Sequence, residues 1–276
     1  MRWRAHLSAV VLLAAIVLAV PVAESPPAHA SSGISQRLGW DACGVGSTGN
    51  AQAFWSNTPF SNMGLYLGGS SYGTGCTRWS AGQVNTLLGQ GWRFLPLWVG
   101  PQAPCTGFGS RFSYDTGTAY QQGANEALAA YQRISSLGWD TLNAPIIYDL
   151  EGFNTGNGTC LAAAKSFISG WTHQMRVPPA QRPGVYGSAC ASGLSAYAGI
   201  ANVPEFIDGA DWSGNRNTNA MACVPSGYWA FHQRHKQYRG DHLETWNGVT
   251  LNIDSDCSNG PVYPGPDALS SGTGCV

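Results

Sequence analysis

The stretch Pro145-Ile146-Ile147-Tyr148-Asp149-Leu150-Glu151-Gly152 holds the residues best suited to chemistry. Ile146, Ile147 and Tyr148 are the β-branched and aromatic types that fill a pleated interior, so they predict a buried strand. Asp149 and Glu151 follow at its carboxyl end. In an extended chain, residues i and i+2 share a face, which sets the two carboxylates side by side with Cβ atoms about 6–7 Å apart. Neighbouring carboxylates repel, and an apolar surround raises the cost of charging both. Such a pair suits acid–base work, in which one member keeps a proton and the other stays ionised. Glycoside hydrolysis needs that division: an acid for the leaving oxygen and a negative group beside an oxocarbenium-like centre. Glu151 is the candidate acid, with Tyr148 and Phe153 as the aromatic surround that raises its proton affinity. Asp149, hydrogen-bonded and wetter, is the candidate ionised partner; Asp41 or Asp254 could take that role from across the mouth. A lone Asp-x-Glu is also what a hydrated strand end looks like, so the weight falls on the rest of the chain.

The elements that would position this pair alternate. Strands are expected at 37–41, 63–67, 92–99, 145–151 and 184–187. Helices are expected from Ala51, after the capping box Ser80-Ala81-Gly82-Gln83, through Tyr120 to Leu137, and from Leu161 to Met175. Strand–helix alternation calls for a parallel sheet. Beyond that the helices fade. Strands six to eight are read at Phe206 to Trp212, Tyr228 to Gln233 and Leu251 to Asp254, with an Asn247-Gly248 hairpin turn between the last two. The segment Arg234 to His242 reads as a basic loop, and the tail from Ser258 as loosely ordered. Eight strands with helices on part of the outside predict an α/β fold, a modified TIM-type (β/α) barrel with helices reduced after strand five. Asp41, Asp149, Glu151, Asp211, Asp254 and Asp256 all then fall at strand carboxyl ends, the barrel face that carries active sites. Tyr186 is a candidate hydrogen-bond donor to a sugar. Among Trp40, Trp98, Trp212 and Trp229, at least two are expected in the core and the others stacked on sugar.

Only 11% of the 276 residues are charged, and the formal net charge is −1. The lysines are Lys165 and Lys236, so no basic stripe exists to hold a phosphate backbone, and nucleic acid is not an expected partner. Residues 1–30 read as a secretory signal peptide: Arg2 and Arg4, an apolar run from Leu7, and Ala28-His29-Ala30 before Ser31. The run is short for a membrane span and broken by Pro21, so no integral membrane segment is expected in the mature form. The eight cysteines suit disulfides in an exported protein, pairing in chain order, though spacing alone leaves connectivity open. The division expected is a leader at 1–30, one barrel domain at 31–260 and a tail at 261–276. His232-x-x-His235 would face opposite sides of a strand, so no metal site and no cofactor are expected. Serine-hydrolase, zincin and phosphate-loop motifs are missing.

Gly39-Trp40-Asp41, Leu65-Tyr66-Leu67-Gly68-Gly69, Pro96-Leu97-Trp98-Val99-Gly100, Asp149-Leu150-Glu151-Gly152, Gly184-Val185-Tyr186, Ala210-Asp211-Trp212, Trp229-Ala230-Phe231-His232-Gln233 and Ile253-Asp254 resemble, in order, the strand signatures of the actinobacterial glycoside-hydrolase-like domain. That domain has no settled activity and is similar in fold to the family 25 lysozymes, which cleave between N-acetylmuramic acid and N-acetylglucosamine. The resemblance implies five β/α units followed by three strands. By position it implies Glu151 as proton donor, Asp149 assisting the reacting centre, and Asp41 and Asp254 as groove carboxylates. Tyr186, Trp212, Trp98, His232 and Gln233 are the further substrate-binding candidates. On strand seven, those lysozymes carry Trp-Gln-Tyr where this chain has Phe231-His232-Gln233. The expected function is a secreted, monomeric, muramidase-type hydrolase of peptidoglycan or a related β-linked glycan, associated with the cell wall. The alternative is a wall-glycan-binding protein with a degenerate active site.

Overall fold

The computed structural model describes residues 32–139, 143–265 and 275; the expected leader lies outside them, as does most of the expected tail. Its centre is a closed barrel of eight strands: β2 (Leu38–Asp41), β3 (Asn62–Gly68), β4 (Arg93–Trp98), β5 (Pro145–Asp149), β6 (Arg182–Ser188), β7 (Phe206–Ala210), β8 (Arg234–Trp246) and β9 (Val249–Val262). Neighbours from β2 to β8 pair in parallel, and β9 closes the ring antiparallel to both β8 and β2. A short strand, β1 (Gly33–Ser35), pairs with the end of β9.

Four helices cover one side: α1 (Thr48–Asn57), α2 (Ala81–Gln90), α3 (Thr116–Ser136) and α4 (Gly158–Met175). Each starts where a side chain takes up an orphan backbone N–H. Ser47, Ser80, Asp115 and Asn157 are the caps, and the Ser80/Gln83 capping box forms as its sequence requires. After β6 the helix shrinks to a single 3-10 segment, Leu194–Gly199, and after β7 a long loop takes its place.

Three expectations need correction. Residues 228–233 form turns, with Trp229 and His232 at positive φ, and strand seven begins only at Arg234. The segment read as a basic loop is therefore strand. Its first basic side chains are not solvated: Arg234 and Lys236 are buried under the loop that precedes them, while Arg239 is exposed. The last strand runs to Val262 instead of fraying at Ser258, because β1 and β8 supply partners for both of its edges. The Asn247-Gly248 turn does link the hairpin, with both residues at positive φ.

Strand alternation decides what fills the barrel. One parity points out, and there Trp40, Trp98 and Tyr148 pack with Phe54, Phe167 and Trp171 in the layer under the helices. The other parity points in. Leu95, Leu97, Ile147, Phe206 and Val262 form a small apolar plug, with Tyr66 and Tyr186 resting on it. Above the plug the inward positions are acidic.

Helices α3 and α4 cross closely through two glycines. A Cβ on Gly123 would lie 2.0 Å from the Phe167 carbonyl oxygen, and one on Gly170 would lie 2.0 Å from that of Tyr120. Backbone cannot yield as a flexible side chain does, so Gly123→Ala or Gly170→Ala should destabilise the fold by about 1–3 kcal/mol or more. Gly89, in α2 with open space around it, should instead gain about 0.5–1 kcal/mol as alanine. Denaturant midpoints of the three variants check both signs.

Candidate active site

Asp149 ends β5 with its side chain inside the barrel, only 4% exposed, and its Oδ1 has no hydrogen-bond partner among the described residues. Burial pushes its proton affinity well above the usual carboxylate range, and Glu151, Asp41 and Asp208 add repulsion. Asp41, at the end of β2, is better served: the Tyr66 hydroxyl donates to its Oδ1 at 2.7 Å and Gln237 Nε2 to its Oδ2 at 2.9 Å. Burial and Asp254 still outweigh those donors and raise its pKa to about 7. Asp208, on β7, rises to about 8 through burial and the nearby Asp41 and Asp254. Asp256, on β9, is pushed well above the ordinary range by burial and then by Asp41 and Asp208. Four buried carboxyls thus lie above an apolar plug, which leaves them little choice but to hold protons near neutral pH.

Glu151 lies two residues on, past the end of β5, and is only partly buried. Burial, then Asp254, raises its proton affinity, while the backbone N–H of Gly152 acts the other way. Gln102 clamps the turn: its Oε1 accepts the Glu151 backbone N–H at 2.8 Å, and its Nε2 donates to the Asp149 carbonyl at 2.9 Å. Tyr148 is not part of the expected aromatic surround. Tyr148 faces the helix layer, where its hydroxyl donates to the Pro101 carbonyl.

Two chambers open above the acids. One, of about 290 Å³, is lined by Glu151, Tyr186, Ser188, Ala210, Trp212 and Ala222 among others. The second, of about 360 Å³, is lined by Asp41, Tyr66, Trp212, Asp241, Asn252 and Asp254 among others. Trp212 borders both and is 61% exposed. Its indole lies against Gly240, where a Cβ would come within 2.1 Å of the ring. Its Nε1 donates to Gln237 Oε1 at 2.7 Å, the same oxygen that the Tyr186 hydroxyl reaches at 3.3 Å. Gln237 therefore ties together Asp41, Tyr186 and Trp212.

The loop that carries Trp212 is fastened from beneath. Lys236 Nζ lies 3.0 Å from Asp211 Oδ2 and donates to the Ala220 carbonyl at 2.7 Å. Arg234 donates to the carbonyls of Thr218, Pro225 and Tyr228. A disulfide joins Cys190 to Cys223. Burial acts to raise the pKa of Asp211, but the Ala222 N–H and the Lys236 ammonium hold it below the usual value. The other disulfides join Cys43 to Cys76, Cys105 to Cys160 and Cys257 to Cys275, which is the chain-order pairing. Four disulfides suggest an extracellular protein. No described helix is long and apolar enough to cross a membrane.

Of the residues read from sequence, Asp41, Asp149, Glu151, Asp254, Tyr186 and Trp212 come together here. Trp98, His232 and Gln233 do not. Trp98 has the outward parity, and its Nε1 donates to Glu126 of α3 at 2.6 Å. His232 and Gln233 precede β8 and lie at the barrel's opposite end. There Gln233 donates to the Glu205 carbonyl, and His232 Nδ1 sits 2.7 Å from Asn259 Oδ1. Asp254 reaches the acidic rim for a reason other than the expected one: β9 runs antiparallel, so its earlier residues, not its carboxyl end, lie level with Asp41. Asp256 accordingly lies deeper, level with Gly39, and not on the rim. Gln237, Gln102 and Asp208 were not singled out. Gln237-Tyr238 resembles the Gln-Tyr of the strand-seven pattern, five residues beyond His232-Gln233, so a signal for it is present in the sequence.

A model of the Rv2525c-like, glycoside hydrolase-like domain matches residues 52–258. The chain belongs to that family. Comparison with curated proteins finds no significant relative. Among solved structures, this member of the Rv2525c-like family is similar to an uncharacterized B. stearothermophilus protein at 17% identity and TM-score 0.54, covering 80% of this chain and 95% of that one. It is also similar to a family 25 glycosyl hydrolase from Bacillus anthracis at 12% identity and TM-score 0.50, covering 86% and 95%. The catalytic domain of endolysin ply40, from bacteriophage P40 of Listeria monocytogenes, matches at 12% identity and TM-score 0.50, covering 81% and 93%. At such identities the likeness is one of fold.

The buried carboxyls give the domain a characteristic pH response. Each binds its proton more tightly folded than unfolded, so the folded state holds more protons between the unfolded value of 3.8 and the folded values of about 7 and 8. Stability should therefore fall as pH rises across that window, by up to about 1.4 kcal/mol per pH unit for each retained proton. Thermal unfolding from pH 4 to 8 should show Tm declining, and Asp208→Asn should make the decline shallower. A Tm that climbs across the window would contradict the buried-acid arrangement.

Proposed function

We propose that this domain is a muramidase-type glycoside hydrolase acting on peptidoglycan or a related β-linked cell-wall glycan outside the cell. The observation that carries this reading is Glu151. Asp41 feels the same two influences but is 7% exposed, with its oxygens taken by Tyr66 and Gln237; Glu151 is only partly buried, lines an open chamber, and has its proton affinity raised by burial and by Asp254. A general acid needs both properties: a retained proton, and a path to the leaving oxygen.

The partner carboxylate is assigned to Asp254 in place of Asp149. Asp254 lines the neighbouring chamber and accepts the Asp241 backbone N–H, while nearby His242 also favours its charged form. These offset part of the burial that raises its pKa. Asp149 is sealed beneath Glu151 without a donor on Oδ1, so it bears a proton and holds the floor of the site. Glu151 would protonate the glycosidic oxygen, and Asp254 would face the positive charge that develops at the sugar. Trp212 offers an apolar ring for a sugar face, and the Tyr186 hydroxyl a donor beside it.

A glycan-binding protein without turnover is the second reading. It is favoured by the sealed, protonated Asp149, which leaves no ionised carboxylate directly beside Glu151.

Incubating the mature protein with peptidoglycan and measuring new reducing ends separates the two. Hydrolysis should fall by about 10²-fold or more in Glu151→Gln with binding retained. Asp254→Asn should lower kcat more than Asp149→Asn does. Retention without any release of reducing ends, unchanged by Glu151→Gln, would leave the binding reading. Trp212→Ala should weaken glycan retention on either reading.

A further inference from the structure

The strand that ends on Asp149 loses one neighbour early. Pairing of β4 with β5 stops at Trp98 and Tyr148, and the chain then turns away through Gly100 and Pro101. On that side the turn from Asp149 to Glu151 has no strand beside it. Gln102 supplies the lack with its side chain. In a parallel ladder, a residue donates to the carbonyl before its neighbour and accepts from the N–H after it. The Gln102 amide does the same about Leu150: Nε2 donates to the Asp149 carbonyl at 2.9 Å, and Oε1 accepts the Glu151 N–H at 2.8 Å. Nε2 also donates to the Gly100 carbonyl at 3.1 Å. The residue is fully buried and lines neither chamber, so its amide is spent on backbone and not on a ligand.

Gln102 is itself held on both sides. Its backbone N–H donates to the Ser110 carbonyl at 2.9 Å, and its carbonyl accepts the Phe112 N–H at 3.0 Å. Phe112 stacks on Phe167 of α4 with ring centroids 4.4 Å apart, and Cys105 of the same loop is joined to Cys160 in the first turn of α4. The amide thus passes the rigidity of the helix layer to the two peptide groups that set the direction of Glu151. Peptide groups deprived of those bonds would turn towards other partners, and a turn of the backbone there swings the glutamate from its place.

We infer that Gln102 is a positioning residue for Glu151: its amide replaces a missing strand neighbour and so fixes where the Glu151 carboxyl stands in its chamber. The consequence for turnover rests on the hydrolase reading above; the placement can be measured without turnover.

Gln102 carries no charge. The charged and titratable groups around Glu151 are Asp254 and Asp149, with Tyr186 and Asp211 bordering the same chamber, and none of them belongs to the loop of Gln102. Gln102→Met removes the bonds at similar volume and unchanged charge, so a change in the titration of Glu151 reports a change of place. Glu126, Glu151, Glu205 and Glu244 are the glutamates beyond residue 30, few enough to resolve by carbon-13 carboxyl NMR of the mature protein. In Gln102→Met the midpoint of Glu151 should fall towards the ordinary 4.5, because a carboxyl no longer held is wetter and farther from Asp254. On peptidoglycan, kcat should drop about tenfold or more with KM held within about twofold. Gln102→Glu, assayed at pH 5 where a buried glutamate keeps its proton, can still donate and accept, and should recover most of the kcat lost in Gln102→Met. Gln102→Asn keeps the amide one methylene short of its partners; it should shift Glu151 the same way, and it is the variant to read if Gln102→Met does not fold. A folded Met or Asn variant with an unmoved Glu151 midpoint and unchanged kcat would overturn the inference, even if its Tm were lower. A moved midpoint in a protein whose wild type releases no reducing ends would uphold the positioning and sink the hydrolase reading.

Discussion

The loss of water around a ring of acids is the constraint to which the rest of this domain answers. A closed sheet has two surfaces and no edges, and its inner surface admits little solvent. Inward-pointing aspartates at that depth cannot all be ionised, since each charge would be both unsolvated and repelled by the next. Asp41, Asp149, Asp208 and Asp256 resolve this by keeping protons, with Tyr66 and Gln237 donating to the one that sits nearest the opening. The apolar plug of Leu95, Leu97, Ile147, Phe206 and Val262 beneath them makes the interior drier and the effect stronger. Contact with solvent is then confined to the rim, where Glu151 and Asp254 remain partly exposed.

One strand joins that interior to the groove. The inward side chain of β8, Gln237, divides its amide between Asp41 below and Trp212 above. Its outward neighbours, Arg234 and Lys236, spend their donors on carbonyls of the loop from Asp211 to Tyr228. Buried cations with several acceptors each are costly to disturb, so the loop cannot drift independently of the strand. The exposed indole is held from two directions, by its own N–H to Gln237 and by a loop anchored on Arg234 and Lys236, just before that glutamine in the strand. An exposed ring that is already fixed loses less entropy on binding a ligand.

The strand–helix alternation, the capping residues, the Asn247-Gly248 turn and the gathering of Asp41, Asp149 and Glu151 were legible in the sequence because each rests on local chemistry with a fixed period; Asp254 joins them through the antiparallel course of β9. Strand seven was not. Tyr228-Trp229-Ala230-Phe231 has the aromatic content of a strand, yet Trp229 sits at positive φ and turns its indole N–H to the Pro204 carbonyl. The true strand opens with Arg-His-Lys-Gln, which looks like solvated surface until the acceptors that bury it are known. Those acceptors, most of them backbone carbonyls, belong to the loop that precedes the strand, and no propensity reports how it folds back over it. Trp98 was misjudged for a different reason. Its place at a strand's carboxyl end is right, but parity turns it outward onto Glu126, and a one-residue difference in parity exchanges groove for core.

Parity and reach also decide how the Asp-x-Glu pair divides its work. Both acids lie on one face, as an extended chain demands, yet their surroundings are opposite to what the types alone suggest. The shorter aspartate ends the strand and is enclosed by sheet on every side; the longer glutamate stands one step beyond, where the chain has left the barrel and Gln102 bridges the turn. A carboxyl that must deliver a proton and later recover one needs contact with solvent, and only the glutamate has it. On the proposed reading the carboxylate that answers positive charge comes from elsewhere on the rim, and β9, running antiparallel to its two neighbours, is what brings Asp254 level with Asp41.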